Sequence, residues 1–115
     1  MDIASHSWRA VAQADDVSED EPVEIAAGGR AVILLRIDGE IRALQGNCPH
    51  AAARLAMGRI EDGWLHCPQH RAKFRLVDGV CGPGWGLPAL QEYALKLEDG
   101  TVFLSEPLAK IDTRD

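Results

Sequence analysis

The sequence predicts an all-β domain built from antiparallel hairpins. Four Asp-Gly pairs lie between short apolar stretches and begin at Asp38, Asp62, Asp78 and Asp99. Asp-Gly favours the two-residue turn that joins antiparallel strands, because both central positions of that turn need a positive φ. Apolar and polar residues also alternate with a period of two around the last pair, which is typical of strands with one buried face.

The other elements follow from the stretches between these turns. Four strand–turn–strand units are predicted: AVILLRIDGEIRAL, MGRIEDGWLHC, KFRLVDGVCG and YALKLEDGTVFLS. Two short strands, WRAVAQ and VEIAA, precede them, with the acidic segment ADDVSEDEP as the loop between. Only HAAARLAM has the composition of a helical turn, and it is too short to be stable alone. The stretch CGPGWGLP, residues 81–88, is predicted to be an irregular loop because Pro and Gly cluster there.

The composition of the whole chain limits its class. A length of 115 residues suits a single domain spanning 1–115. No signal peptide and no membrane-spanning run is evident, so we expect a soluble cytoplasmic protein with no membrane partner. The net charge of −6 disfavours nucleic acid as a partner, and we interpret it as a contribution to solubility. Three cysteines without a secretion signal point to metal binding or catalysis and not to disulfides.

Two cysteines and two histidines form a repeated pattern in one short segment. Cys48-x-His50 is followed, after sixteen intervening residues, by Cys67-x-x-His70. A catalytic cysteine needs only one distant base, so the repeat favours metal ligation over nucleophilic catalysis. Burial as ordinary core residues is disfavoured because both cysteines precede a proline in turn-prone sequence. His66 adjoins Cys67 on a predicted strand and is expected to face the opposite side, so it is not counted as a ligand.

The residues alone leave two kinds of metal centre open. Zinc binds two Cys and two His in a tetrahedron, although zinc fingers pair Cys with Cys and His with His. In a two-iron cluster, the two cysteines hold one iron and the two histidines hold the other. Each Cys/His pair then contributes one ligand to each iron.

The two boxes CPHAAARL and CPQHRAKF resemble the cluster-binding boxes of Rieske [2Fe–2S] ferredoxins. GPGWGLPALQEYALKLEDGTVFLS resembles the proline loop and closing hairpin of that family, and the resemblance extends from about residue 8 to residue 104. It implies a Rieske-like antiparallel β-sandwich. A cluster-binding subdomain of two hairpin loops plus a proline loop is expected at about 46–87, on a basal β domain formed by 1–45 and 88–115.

The resemblance also implies a ligand set. Cys48 and Cys67 would bind the inner iron of a [2Fe–2S] cluster, His50 and His70 would bind the outer iron, and residues 82–88 would cover the cluster.

The chain departs from the family's pattern at two positions. Many members have Gly near Ala52 and after the second histidine, where this chain has Arg71. The extra cysteines of high-potential members are absent, since alanines stand in the first box and Gln69 in the second. We therefore expect a potential near the bottom of the range of about −150 to +300 mV. No role is predicted for Cys81 or Trp85.

Protein ligands occupy every iron position in this scheme, so we expect an electron carrier and not a catalyst. The resemblance implies a flavin-dependent reductase as donor and a terminal oxygenase as acceptor, in an aromatic-ring dioxygenase or a di-iron monooxygenase system. We expect a monomer. One alternative is the small subunit of an assimilatory nitrite reductase, which the intact ligand set disfavours. Another is a structural zinc-binding interaction module. Trp8 and Trp64 are expected in the core. Arg71 and Lys73 are expected to be a solvated pair, with contact to a partner as the less favoured alternative.

Overall fold

The computed structural model describes residues 7–49, 53–68, 72–83 and 86–111. Helix in these ranges is limited to two single 3₁₀ turns, at Ala14–Asp16 and Leu55–Met57, and no described helix is long and apolar enough to cross a membrane. The remaining regular elements are strands: β1 (Ser7–Gln13), β2 (Val23–Ala27), β3 (Arg30–Ile37), β4 (Glu40–Gln45), β5 (Arg59–Glu61), β6 (Trp64–His66), β7 (Lys73–Arg75), β8 (Glu92–Tyr93), β9 (Leu95–Glu98), β10 (Thr101–Glu106) and β11 (Lys110–Ile111).

The strands form three antiparallel sheets, which confirms the all-β prediction. The first sheet has the order β1-β10-β9, the second β11-β8-β4-β3-β2, and the third β5-β6-β7. The third sheet lies inside the range 46–87. The division of the chain into a basal domain and a cluster-binding subdomain stays a prediction.

Strand β3 is buried on both faces and contributes to both cores of the protein. Val32 and Leu34 pack into a core that also contains Tyr93, Val102 and Leu104 and lies between the first two sheets. The intervening residues of the strand pack into a second core, which contains the apolar side of the third sheet; they are Ile33, Leu35 and Ile37. A strand buried on both faces reads as a continuous apolar run, which accounts for the letters AVILL.

Three of the four Asp-Gly turns form as predicted. Asp38, Asp62 and Asp99 have φ values of 53°, 52° and 51°, and each is followed by a glycine that also has positive φ. These values are those of a two-residue hairpin turn. A fourth turn of this kind joins β2 to β3 through Gly28 and Gly29, with φ values of 60° and 77°, and it was not predicted.

The prediction of a two-residue turn at Asp78-Gly79 is wrong. The loop contains four residues, 76–79, and is closed by the Arg75 amide donating to the Val80 carbonyl at 2.9 Å. The Asp78 carboxylate accepts from the Val80 amide at 3.1 Å and from Arg75 Nη2 at 2.6 Å. Those bonds favour a wider turn. The strand expected after it is reduced to one isolated bridge between Phe74 and Cys81.

The last hairpin is also shorter than predicted. Tyr93 belongs to β8 of the second sheet, whereas Leu95 begins β9 of the first sheet. The chain changes sheets at Ala94, whose amide donates to the carbonyl of Ala109 at 2.8 Å. Leu97, which the period-two pattern places on the buried face with Tyr93 and Leu95, is instead 53% exposed on β9, the edge strand of its sheet.

A buried ion pair joins β4 to β8. Arg42 donates two hydrogen bonds to the Glu92 carboxylate, at 3.0 Å and 2.6 Å, and their side chains are only 17% and 8% exposed. Hydrogen bonding to Glu92 and its charge raise the pKa of Arg42. Arg42 Nη1 also donates to the Val77 carbonyl at 3.0 Å. One guanidinium therefore connects two strands of the second sheet to the loop that follows β7.

Arg42→Met is expected to lower the free energy of unfolding by about 3 kcal/mol, because it leaves the Glu92 charge buried without its cation. Arg9→Met removes an exposed ion pair with Glu106, at 3.5 Å, and is expected to cost less than about 0.5 kcal/mol. Urea unfolding followed by circular dichroism measures both. Equal losses in the two variants would contradict the structural role given to Arg42.

Gly58→Ala is expected to cost about 3 kcal/mol, since a Cβ at this position would lie 2.0 Å from the backbone oxygen of His66 and would force β5 and β6 apart. Gly63→Ala, in the turn of the same hairpin, meets nothing within 4 Å and carries only the cost of its positive φ, about 1 kcal/mol. The same unfolding measurement distinguishes them. A smaller loss for Gly58→Ala than for Gly63→Ala would show that β5 accommodates the methyl group.

Candidate metal centre

Two loops of equal length carry the cysteines predicted to bind metal. The Cys48 amide donates to the Ala53 carbonyl at 2.9 Å, and the Cys67 amide donates to the Ala72 carbonyl at 2.9 Å. Each bond closes a loop that begins with Cys-Pro and ends five residues later with a buried alanine. The two cysteines therefore begin segments that are closed by the same kind of backbone hydrogen bond.

Both thiol groups lie in one apolar core. Cys48 and Cys67 are each 4% exposed and belong to the cluster that contains Ile33, Leu65 and Phe74. Cysteine sulfur is a ligand both for zinc and for the irons of iron–sulfur clusters. Two buried cysteines in one core thus fit a group that binds a pair of sulfurs.

The first loop is attached to β3. The Gly46 amide donates to the Ala31 carbonyl at 2.9 Å, which attaches the loop to the start of β3. The Leu55 amide then donates to the Gly46 carbonyl at 2.9 Å, and Asn47 forms a bridge with Arg54. These bonds hold both ends of the loop against the second sheet.

The second loop connects β6 to β7 in the third sheet. Leu65 pairs with Phe74, and His66 pairs with Lys73, so the loop closes where the two strands end. The Gly82 amide donates to the Lys73 carbonyl at 2.8 Å, and Cys81 forms an isolated antiparallel β-bridge with Phe74. The described start of the proline loop is thereby fastened along β7.

One ion pair lies beside the first loop, and another lies at the end of β7 that is farther from the second loop. Arg54 donates from Nε to both Glu24 oxygens at 3.1 Å, and this hydrogen bonding raises the pKa of Arg54. Hydrogen bonding from Arg75 lowers the pKa of Asp78. Because the folded state lowers that pKa, the stability contributed by Asp78 is present near neutral pH and is lost as the pH falls through the lowered value.

The structure describes some of the predicted site residues and not others. Cys48 and Cys67 are described, whereas His50 and His70 lie outside the described residues, as do Ala52, Gln69, Arg71 and Trp85. Within the described ranges, no three His, Cys, Asp or Glu side chains form a group that could hold a metal ion. The four-residue ligand set therefore stays a prediction.

The remaining candidates have clear positions. His66 is half-buried on β6, next to the fully buried Leu65, in keeping with an ordinary strand residue. Cys81 is half-buried and packs against the core that holds Cys48 and Cys67. Trp8 and Trp64, expected in the core, are half-buried at the surface.

Sequence reasoning missed the two alanines that close the loops. Ala53 is 2% exposed and Ala72 is fully buried, and their carbonyls accept the cysteine amides. The available signal was spacing, because each alanine follows its cysteine by five residues. Small side chains are required at these positions, since both alanines are part of the packed core.

Comparison with known proteins places this geometry in a family. Residues 7–94 match the model of the Rieske [2Fe-2S] domain. The chain is 32% identical to the anthranilate 1,2-dioxygenase ferredoxin subunit of Burkholderia cepacia, covering 83% of this chain and 88% of that protein. It is 35% identical to the ferredoxin component of the alkene monooxygenase system of Xanthobacter autotrophicus, covering 87% and 83%.

A solved structure shares the fold. The ferredoxin of Sphingomonas yanoikuyae B1 superposes with a TM-score of 0.77 at 24% identity, covering 86% of this chain and 98% of that one. On the domain match and the identity to curated ferredoxins, the chain belongs to the Rieske [2Fe-2S] domain family, and its cofactor is a Rieske-type [2Fe–2S] cluster.

Proposed function

We propose that this protein is a one-electron carrier that passes electrons from a flavin-dependent reductase to the terminal oxygenase of a multicomponent system. The observation that carries the proposal is the pair of buried cysteines in matching loops, in a chain that aligns over most of its length with oxygenase ferredoxins. Those relatives serve an aromatic dioxygenase and an alkene monooxygenase, so the acceptor is an oxygenase of either type. The carrier acts in the cytoplasm as a monomer.

The ligand set proposed is Cys48 and Cys67 for one iron, and His50 and His70 for the other. When bound, the cluster takes up and returns one electron. Two neutral imidazoles leave it less negative than four thiolates would, and this favours reduction. The Cys48 and Cys67 side chains would hold one iron, and their 4% exposure would limit the access of water to the sulfurs.

The proposed role is electron transfer without catalysis. Each iron receives only protein and sulfide ligands in this scheme, so no coordination position is open to a substrate. A surface cleft of about 570 Å³ lies along β4, β8 and β9 and is lined by residues such as Ile41, Tyr93 and Leu95. Neither cysteine lines it, so the cleft offers a small molecule no access to the iron-binding sulfurs.

The comparisons favour this role over the two alternatives. The curated relatives that match most of the chain are ferredoxin components, which supports oxygenase electron transfer over a nitrite reductase subunit. Membership of the Rieske family supports the iron–sulfur cluster over a structural zinc site.

Replacing a cysteine ligand tests the inner-iron assignment. Cys48→Ala and Cys67→Ala are each expected to lose most of the bound iron, because either change removes a thiolate that the cluster needs. Cys81→Ala is the matched control: it alters a cysteine on the same core and is expected to keep about two irons per chain. Iron and sulfide analysis measures all three. A colourless wild-type protein containing zinc would contradict the proposed function.

Replacing a histidine ligand tests the outer-iron assignment. His50→Cys and His70→Cys are each expected to lower the reduction potential, since a thiolate adds negative charge where an imidazole was neutral. His66→Gln is expected to leave the electron paramagnetic resonance spectrum of the reduced protein unchanged. Spectroelectrochemical titration gives the potentials. A potential that does not move in the cysteine variants, with the cluster retained, would contradict the assignment of His50 and His70.

A further inference from the structure

The third sheet presents an outward face that carries most of the cations near the second cluster loop. Leu65 and Phe74 are fully buried, and Ile60 packs against the same core, so these residues define the inward side. The alternate residues point the other way and are half-buried or exposed. We call this side the Trp64 face; its members are Arg59, Glu61, Trp64, His66, Lys73 and Arg75.

A cation–π contact gives the Trp64 face a fixed centre. Lys73 Nζ lies 4.5 Å from the centroid of the Trp64 ring. The guanidinium of Arg75, which pairs with Trp64 across the two strands, lies 6.0 Å from the same centroid. Gly82 closes over the stem of Lys73, since a Cβ at Gly82 would lie 3.0 Å from Lys73 Cγ and 3.3 Å from the Trp64 ring. The ammonium group is thus held in place, and only part of its side chain is accessible.

Ion pairs balance the two arginines of this centre and leave the charge of Lys73. Arg59 pairs with Glu61 at 3.0 Å, and Arg75 pairs with Asp78 at 2.6 Å. Among the residues that the structure describes, Lys73 makes no ion pair. A half-buried lysine on a tryptophan, flanked by arginine, has the composition of a protein–protein contact centre, where Trp and Arg are enriched.

The charge of the chain is strongly segregated. Residues 46–87 contain five Lys or Arg and three Asp or Glu, a net charge of +2, while the remaining residues carry −8. The cluster-bearing segment is therefore positive on a protein whose total charge is −6. Such a separation orients a molecule in the field of a charged partner.

The Trp64 face is adjacent to the loop that holds Cys67. Strand β6 leads directly into Cys67, and Lys73 directly follows Ala72, whose carbonyl closes that loop. A partner seated on this face contacts the two strands from which the loop projects.

We propose that the Trp64 face is the docking surface for an acidic face of the protein with which the cluster exchanges electrons. The proposal rests on the proposed function for the identity of that partner as a redox protein. The segregated charge favours one orientation of approach, in which the cluster-bearing end leads. The acidic remainder of the chain disfavours approach from the other side.

A binding measurement tests the face without using the cluster. The probe is fluorescently labelled poly-L-glutamate, a model of an acidic protein surface, at about 0.15 M ionic strength, where a screening length of about 8 Å limits repulsion by distant acidic residues. The wild-type chain is expected to bind it, and Lys73→Glu/Arg75→Glu to bind at least about tenfold more weakly, by fluorescence anisotropy. The control Lys96→Glu/Lys110→Glu changes the total charge equally and removes a comparable lysine, 5.2 Å from the Trp8 ring.

A kinetic measurement tests the electron-transfer side. The dithionite-reduced protein gives one electron to ferricyanide, a trianion, which becomes ferrocyanide with no proton transferred. Net charge alone predicts that added salt speeds this reaction by screening repulsion. If ferricyanide approaches the Trp64 face, added salt is expected to slow the reaction. Lys73→Glu/Arg75→Glu is then expected to slow the reaction at least about fivefold at low salt. Tris(phenanthroline)cobalt(III), a trication, is expected to show the opposite changes.

The outcomes separate the two proposals. Equal effects of the two double variants, or a wild-type rate with ferricyanide that rises with salt, would overturn the docking surface while a red, reducible protein leaves the proposed function standing. A colourless protein overturns the electron-carrier role and the redox identity of the partner, and the anisotropy result then decides whether the face binds an acidic surface. Lys73→Gln/Arg75→Gln, with intermediate effects expected, guards against misfolding of the glutamate variant.

Discussion

The burial of strand β3 on both faces is the constraint on which the rest of the structure depends. Val32 and Leu34 on one side and Ile33 and Leu35 on the other are all fully buried. Burying a side chain of this kind contributes about 1.5–3 kcal/mol, so these four together contribute about 6–12 kcal/mol, similar to the whole net stability of a typical domain. Neither the first sheet nor the third can separate from β3 without exposing one of these pairs.

The same packing determines how firmly Cys48 and Cys67, the cysteines proposed to bind the cluster, are held. Cys48 and Cys67 belong to the core that contains Ile33 and Leu35 of β3. The first residue of each loop is therefore packed in the same core as β3. Polar links reinforce the attachment, since Arg42 bridges Glu92 to the carbonyl of Val77. A site on packed strands keeps its geometry better than one on free loops. The electron-carrying end is therefore an extension of the protein core.

Local signals predicted the parts of the fold that depend on local chemistry. Three Asp-Gly turns formed because positive φ at both positions needs nothing beyond the pair itself. The fourth failed because Arg75 and the Val80 amide capture the Asp78 carboxylate. The change of sheet at Ala94 depends on a bond to Ala109, which no short-range pattern contains. In the site, Cys/His spacing predicted the cofactor, whereas loop closure by Ala53 required the folded backbone.

Charge illustrates why a property of the whole chain is a poor guide to a surface. Screening at physiological ionic strength limits electrostatic reach to about 8 Å, whereas the described molecule measures 40 × 29 × 26 Å. A partner therefore responds to the charges it approaches and not to the sum of −6. At the third sheet the ion pairs Arg59–Glu61 and Arg75–Asp78 are balanced, and Lys73 keeps its positive charge against the Trp64 ring. The proposed docking of an acidic partner therefore depends on the local charge of the Trp64 face and not on the acidic total of the chain.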